Sequence, residues 1–287
     1  MRLKKLIFAL LAILVTLVFL NFIFMSIFLY KLPIKSKDKV SNEIKEEYFE
    51  KTIHDQDEIN HDSRPIINTF DYKYILRPSE SFCKIKTNLL MIAMVTVSPV
   101  NFNQRSVIRS TWATTHNQME ENFRVVFIIG QSLKSEINNA IQLEHKQNGD
   151  IVQLDFFDSY YNLTTKTIMG FRWVSTYCSN ARYTLKIDDD VVVNLKSFLG
   201  YLNRISKDQN YQTNKMMCRY SARQAPIRNS KSKYYISVKE FSKKVFDPFC
   251  LGPAYLLTSD LNERFYHLAL FTSIFKLEDV YVGVRVF

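Results

Sequence analysis

Three consecutive carboxylates, Asp188-Asp189-Asp190, stand between the apolar runs Tyr183 to Ile187 and Val191 to Val193. Negative charge concentrated at the end of a buried strand is costly unless a cation offsets it. Hard carboxylate oxygens suit Mg²⁺ or Mn²⁺, and a metal held there could bind a diphosphate. Side-chain alternation aims Asp188 and Asp190 to one side and Asp189 to the other. Two carboxylates on one side can share a metal or divide metal and sugar contacts. A second acidic pair, Glu278-Asp279, is set among Leu277, Val280, Tyr281 and Val282. A partly buried carboxylate can act as a general base. The same pair at a helix start would only complement the helix dipole.

Other polar groups fall at suggestive places. Arg105 and Arg109 are four apart, hence on one helix face. Paired guanidiniums suit a phosphate or an acidic partner; a solvated face or ion pairs with Asp would use the same residues. Asp155 to Thr167 reads as a strand-to-helix loop carrying Lys166 near a helix start, where anions are favoured. Helix capping alone would also explain it. Phe246 to Tyr255 reads as a Pro/Gly turn between aromatics.

These residues need a scaffold. Leu89 to Val97, Phe123 to Gly130, Asp150 to Leu154 and Tyr183 to Ile187 are apolar runs expected to form buried strands. Helical patterns lie between them at Gln104 to Trp112, Leu133 to His145 and Thr164 to Cys178. The alternation predicts an α/β domain with a largely parallel sheet. Ligands of such sheets bind beyond the carboxyl ends of the strands, where the acidic triplet falls. Further on, Leu195 to Ile205 reads as a helix. Met216 to Tyr220, Tyr234 to Val238 and Ala254 to Leu257 read as short strands, and Ser259-Asp260 as the start of a helix running to about Leu270.

The whole chain sets the surroundings. Leu6 to Tyr30 is apolar except for Thr16, Asn21 and Ser26, longer than the roughly 20 residues that span a bilayer. It is also longer than the apolar core of a cleaved signal peptide. An uncleaved anchor at 6–30 is therefore expected, with a tail at 1–5, a polar stem at 31–80 and the main domain at 81–287. Lysines on both sides of the span leave its orientation open. Of the net charge of +10, the first 40 residues supply +6, from seven Lys/Arg and one Asp. That leaves +4 for the rest and disfavours nucleic acid as a partner. Cys83, Cys178, Cys218 and Cys250 contain no CxxC pair. They suit either two disulfides in an oxidising lumen or four buried thiols. Asn162-Leu163-Thr164 is an N-glycosylation sequon, which marks Asn162 as a candidate glycan site.

Several motifs in register point to one family. The Arg105–Arg109–Thr111–Trp112 pattern, Asp158 through Thr167, Trp173 with Cys178, Lys186 through Asn194, and Glu278 through Gly283 together resemble the β-1,3-glycosyltransferases of glycosyltransferase family 31. The resemblance covers about Leu89 to Gly283. It implies the GT-A nucleotide-sugar-binding fold, a single-pass type II Golgi membrane protein, and a luminal catalytic domain. It further implies inverting transfer of a hexose from a UDP-sugar to a glycan acceptor in β-1,3 linkage. Carried over residue by residue, it implies that Asp190 contacts Mn²⁺ and that Asp188 lies near the metal or ribose. Asp189, Arg105, Arg109 and Lys166 become donor-site residues, with the two arginines touching the donor or supporting its pocket. Asp279 becomes the general base. The family's pattern usually has a glycine-rich turn before the position of Tyr255, where this chain has Gly252-Pro253-Ala254. It also continues for some tens of residues beyond Gly283 and includes a metal-contacting His. His267 is the one histidine here after the triplet. A family member that binds glycans or partner transferases without catalysis is the alternative expectation.

Overall fold

The computed structural model describes residues 64–84, 89–120 and 122–286. The expected tail, anchor and most of the stem lie outside these residues. Among the described residues, no helix is long and apolar enough to cross a membrane.

Seven strands form one sheet: β1 (Tyr74–Leu76), β2 (Met91–Thr96), β3 (Phe123–Gln131), β4 (Ile151–Phe157), β5 (Tyr183–Asp188), β6 (Met216–Ser221) and β7 (Phe249–Thr258). Their order across the sheet is β1-β4-β3-β2-β5-β7-β6. β2 is parallel to both β3 and β5, and β3 is parallel to β4. β1, β6 and β7 pair antiparallel with their neighbours. The helices are α1 (Phe102–Ser110), α2 (Thr115–Glu120), α3 (Ser135–Asn148), α4 (Leu163–Tyr177), α5 (Leu195–Ile205), α6 (Asp260–Leu270) and the short turn α7 (Glu278–Val280).

Every residue of β2 is buried, because both faces of the sheet are covered. Ile92, Met94, Val126 and Ile128 face α4 and α6, meeting Ile168, Phe171, Trp173 and Phe265. Met91, Ala93, Val125 and Phe127 face the other way, in one core with Ile108 of α1, Ile141 of α3 and Leu199 and Leu202 of α5. Each such aliphatic or aromatic side chain contributes about 1.5–3 kcal/mol on full burial. α4 is buried almost all round, which its mixed apolar and threonine sequence permits.

The connection through α4 carries the chain from β4, on one side of β2, to β5 on the other. Strand order therefore reverses between β2 and β5. In an open α/β sheet such a switch point leaves a crevice beyond the carboxyl ends of the strands.

The structure departs from the sequence reading in three places. Tyr234 to Val238 is not a strand; Tyr235 makes one isolated bridge to Ile227. The expected turn at Phe246 to Tyr255 is largely strand β7. β6 pairs Cys218 with Tyr255 and then Tyr220 with Cys250, so Leu251 to Ala254 bulge opposite a single residue of β6. Pro253, which has no N–H to offer a ladder, sits within this bulge. Third, residues 64–80 of the expected stem join the domain. β1 adds to the sheet edge beside β4, and the Asn68 side chain donates to the carbonyls of Ala269 and Thr272, both at 2.7 Å. Buried Phe70 explains the docking. Composition hid this, since Phe70, with Tyr74 and Leu76 packed against the core, anchors an otherwise polar segment.

Two disulfides, Cys83–Cys178 and Cys218–Cys250, use all four cysteines. The first ties the segment before β2 to the end of α4. The second joins β6 to β7 across the bulge.

Candidate active site

Asp188 ends β5 in register with Thr96, which ends β2. The Thr96 hydroxyl donates to Asp188 Oδ1 at 3.0 Å, so the switch point is closed by a hydrogen bond. Two residues earlier on the same side of β5, Lys186 is fully buried. Its ammonium donates to Asp188 Oδ1 at 2.6 Å and to the Gly252 carbonyl at 2.8 Å. It lies 3.5 Å from Glu278 Oε2 and 5.6 Å from the centre of the Tyr255 ring. Burial disfavours its charge, but Glu278 and Asp188 outweigh that and hold its pKa above the ordinary lysine value.

The β7 bulge links the acidic triplet to the second acidic pair. Gly252 gives its carbonyl to Lys186, and its N–H donates to Asp279 Oδ2 at 3.2 Å. A Cβ on Gly252 would lie 3.3 Å from Asp279 Cβ and Oδ2, so this approach needs a glycine or a shifted neighbour. Gly283 meets a harder limit, since its Cβ would lie 2.9 Å from Phe249 Cβ and 3.2 Å from the Cys250 amide nitrogen. These two glycines press the 278–283 turn against β7. Tyr281 and Val282 behind it are fully buried.

Glu278 is buried and receives a 2.6 Å hydrogen bond from the Tyr255 hydroxyl. Burial raises its pKa; Lys186 and the Tyr255 bond oppose the rise without cancelling it. Asp279 is half-buried, and burial raises its pKa as well, against the pull of the Val280 and Gly252 N–H groups. A half-buried carboxylate of raised basicity is suited to accept a proton.

Asp189 turns the other way and accepts from the Asn101 side chain at 2.6 Å. Asp190 is exposed. Asn194 then caps α5 by accepting from the Ser197 N–H, which fixes how the acidic loop leaves the strand. Among the described residues no group of three or more His, Cys, Asp or Glu forms a ready metal cage. Asp188 has one oxygen already committed to Lys186 and Thr96. The donor set is thus a solvent-facing Asp190 with the remaining oxygens of its neighbours. That fits a divalent cation shared with a bound diphosphate, since Mg²⁺-type ions commonly take one or two carboxylates and complete their shell with phosphate and water.

Lys166, on the first turn of α4, is buried rather than open to an anion. It donates to the Val97 carbonyl at 2.9 Å and pairs with Asp158 at 2.7 Å, while Asp158 accepts from the Gly130 N–H. Burial lowers its pKa against the attraction of Asp158. Lys166 therefore ties together the carboxyl ends of β2, β3 and β4. Arg105 is fully buried and forks onto Glu144 at 2.8 and 2.6 Å while donating to the Ser98 and Pro99 carbonyls. Arg109 joins Glu144 and Asp150, at 2.6 and 2.7 Å. Arg105 thus braces the turn after β2, whereas Arg109 ties α1 to α3 and to the residue before β4.

Asn162 is half-buried, and its amide donates to the Phe157 carbonyl at 2.8 Å; a glycan there would leave that nitrogen one N–H, enough for this bond. His267 lies on α6, its ring 5.3 Å from that of Phe271. Sequence reasoning passed over Lys186 and Thr96 as site residues, named Glu278 only as Asp279's partner in the acidic pair, and gave Tyr255 no role of its own. A lysine in the middle of a buried strand, one alternation before an aspartate, was the available signal for the first.

Comparison with known proteins bears on this arrangement. The family described as Galactosyltransferase matches residues 103–286. Beta-1,3-galactosyltransferase 1 of Homo sapiens is 31% identical over 223 residues, 77% of this chain and 66% of the relative. UDP-GalNAc:beta-1,3-N-acetylgalactosaminyltransferase 1 of Sus scrofa is 35% identical over 218 residues, 75% of this chain and 64% of the relative. Beta-1,3-galactosyltransferase 2 of Mus musculus is 34% identical over 221 residues, 76% of this chain and 51% of the relative. The chain thus spans just under two thirds, or less, of the length of these relatives. The mostly parallel sheet fits the GT-A fold, and the family match runs from the start of α1 through both acidic segments: the chain belongs to the galactosyltransferase family.

Proposed function

We propose that this chain transfers a hexose, galactose or an N-acetylhexosamine, from a UDP-sugar to a glycan hydroxyl in β-1,3 linkage. The names of its relatives supply the class of reaction. The observation that carries the reading is the link from triplet to base: Asp188 to Lys186, Lys186 to Gly252, Gly252 to Asp279. One half can hold the nucleotide diphosphate, and the other can prepare the attacking hydroxyl.

The chemistry is a single displacement. Asp279 takes the proton of the acceptor hydroxyl as its oxygen forms a bond to the anomeric carbon. The bond from that carbon to the diphosphate oxygen breaks on the opposite face, UDP departs with the electron pair, and the configuration inverts. Asp190, with Asp188, would hold Mn²⁺, which when bound supplies a Lewis acid for the charge on UDP. Glu278 and Lys186 hold the two halves in register. Asp189, Lys166, Arg105 and Arg109 shape the donor side, Lys166 and Arg105 by fixing the loops after β2, β3 and β4, and Arg109 by holding α1 to α3 and to the start of β4. The same reading takes the chain as a type II Golgi membrane protein anchored by residues 6–30, with the domain in the lumen.

The test is transfer from UDP-galactose, UDP-N-acetylglucosamine and UDP-N-acetylgalactosamine in the presence of Mn²⁺. Asp190→Ala and Asp279→Asn should each abolish it. Full activity in Asp279→Asn would remove the base assignment. Failure of the wild-type chain to bind UDP with Mn²⁺ would favour the non-catalytic, glycan-binding alternative.

A further inference from the structure

Beside the second acidic pair lies a cluster of aromatic rings that the reaction above does not use. Tyr160 and Tyr234 meet at 6.0 Å with their planes 77° apart, forming a corner. They are 38% and 41% exposed. Lys233 lies over both rings, 5.6 Å from Tyr160 and 4.8 Å from Tyr234. Tyr161, 64% exposed, extends the same edge.

The corner is assembled from segments far apart in sequence. Tyr160 and Tyr161 precede α4, and Tyr234 lies in the long segment between β6 and β7. That segment is held in shape by Arg228, which donates to the carbonyls of Ile236, Phe241 and Lys243. Two contacts place the assembly beside the 278–279 pair. The Thr164 hydroxyl donates to the Phe275 carbonyl at 2.7 Å. Lys276 lies 5.5 Å from the Tyr235 ring and 3.2 Å from Glu240. The charges of Asp279, Asp188 and Glu278 also reach Tyr160, adding to the effect of burial in raising its phenol pKa.

We propose that the Tyr160–Tyr234 corner is a binding subsite for a neutral β-linked hexopyranose of the acceptor glycan. It deepens the transferase reading and rests on it for the word acceptor, but not for the binding. A hexopyranose has one face of C–H groups, apolar and weakly positive, which complements the negative face of an aromatic ring. A second ring nearly perpendicular to the first walls the sugar's edge. The Lys233 ammonium, seated over the rings, retains N–H donors for a sugar hydroxyl. A few placed polar groups on an otherwise apolar concave wall are what fix a ligand's orientation.

The test uses the full chain with methyl β-D-galactopyranoside and methyl N-acetyl-β-D-glucosaminide as probes, read by saturation-transfer NMR and titration. Saturation should fall on the C–H groups of one ring face. Tyr160→Ala and Tyr234→Ala should each weaken binding roughly tenfold, while Tyr160→Phe, which keeps the ring, binds as wild type. Tyr160→Leu keeps apolar volume and the fold but should lose affinity as the alanine does; melting curves check each variant. Unchanged affinity in both alanine variants, or no binding of either glycoside by wild type, overturns the proposal. Ring-dependent binding in a chain that transfers from no UDP-sugar would leave the subsite standing and remove the transferase reading instead.

Discussion

Replacing Lys186 by methionine should be among the most damaging single changes in the domain, and its cost should depend on pH. The ammonium is fully buried and shared by Asp188, the Gly252 carbonyl and Glu278. Methionine fills much of the stem's volume, so the cavity term is small. What is lost is the counter-charge. Removing one partner of a buried ion pair costs about 3–5 kcal/mol, because the other charge is left uncompensated. Asp188 is partly exposed, with 32% of its side chain accessible, so water absorbs its share and most of the penalty falls on Glu278. For a domain of this size, 1 kcal/mol moves the melting temperature about 2–4 °C, which gives a fall of about 6–20 °C near neutral pH. Burial already raises the Glu278 pKa, and loss of the lysine raises it further. A carboxylate with a folded-state pKa above its unfolded value contributes stability that is complete below the unfolded value and lost as pH rises through the folded one. The Lys186→Met deficit should therefore shrink as pH is lowered from about 7.5 to 5. Urea unfolding at several pH values measures this, and Lys186→Met combined with Glu278→Gln should recover most of the loss at neutral pH. A deficit below about 1 kcal/mol, or one independent of pH, would refute the view of Lys186 as the shared counter-charge of the site.

Other outcomes follow from the same geometry. The acid limb of the transfer rate should lie above the ordinary aspartate value of 3.8, because burial raises Asp279 and only its ionised form can take the acceptor proton; a pH profile of kcat/KM reads it. Arg105→Met should cost about 1–3 kcal/mol, seen in denaturant melts, by taking the donor from the Ser98 and Pro99 carbonyls while Arg109 still pairs with Glu144. Opening Cys83–Cys178, which closes 95 residues, should cost about 1 kcal/mol more than opening Cys218–Cys250, which closes 32. Only the second should also disturb Asp279 and reduce kcat, through the β7 bulge. Gly283→Ala should lower both melting temperature and kcat, since its methyl group meets β7 at 2.9 Å; Gly200→Ala, with open space around it, is the control.

The sequence by itself determined the sheet's central strands, the flanking helices and the acidic triplet at a strand end. Continuous apolar runs of strand length and a 3.6-residue period in the segments between them are local signals, legible without the fold. It also set out both acidic segments as candidates. Tertiary structure decided how they are joined. A bulge in β7 cannot be read from one strand, because it exists only in that strand's register with β6. Through it Gly252 reaches both Lys186 and Asp279. The same holds for the basic residues. Arg105, Arg109 and Lys166 stood open to an anion or to ion pairs, because a charged side chain in sequence has no visible partner. Folding supplied Glu144, Asp150 and Asp158, tens of residues away or on another element, and a charge drawn away from water must be paired, so all three cations are held in ion pairs within the scaffold.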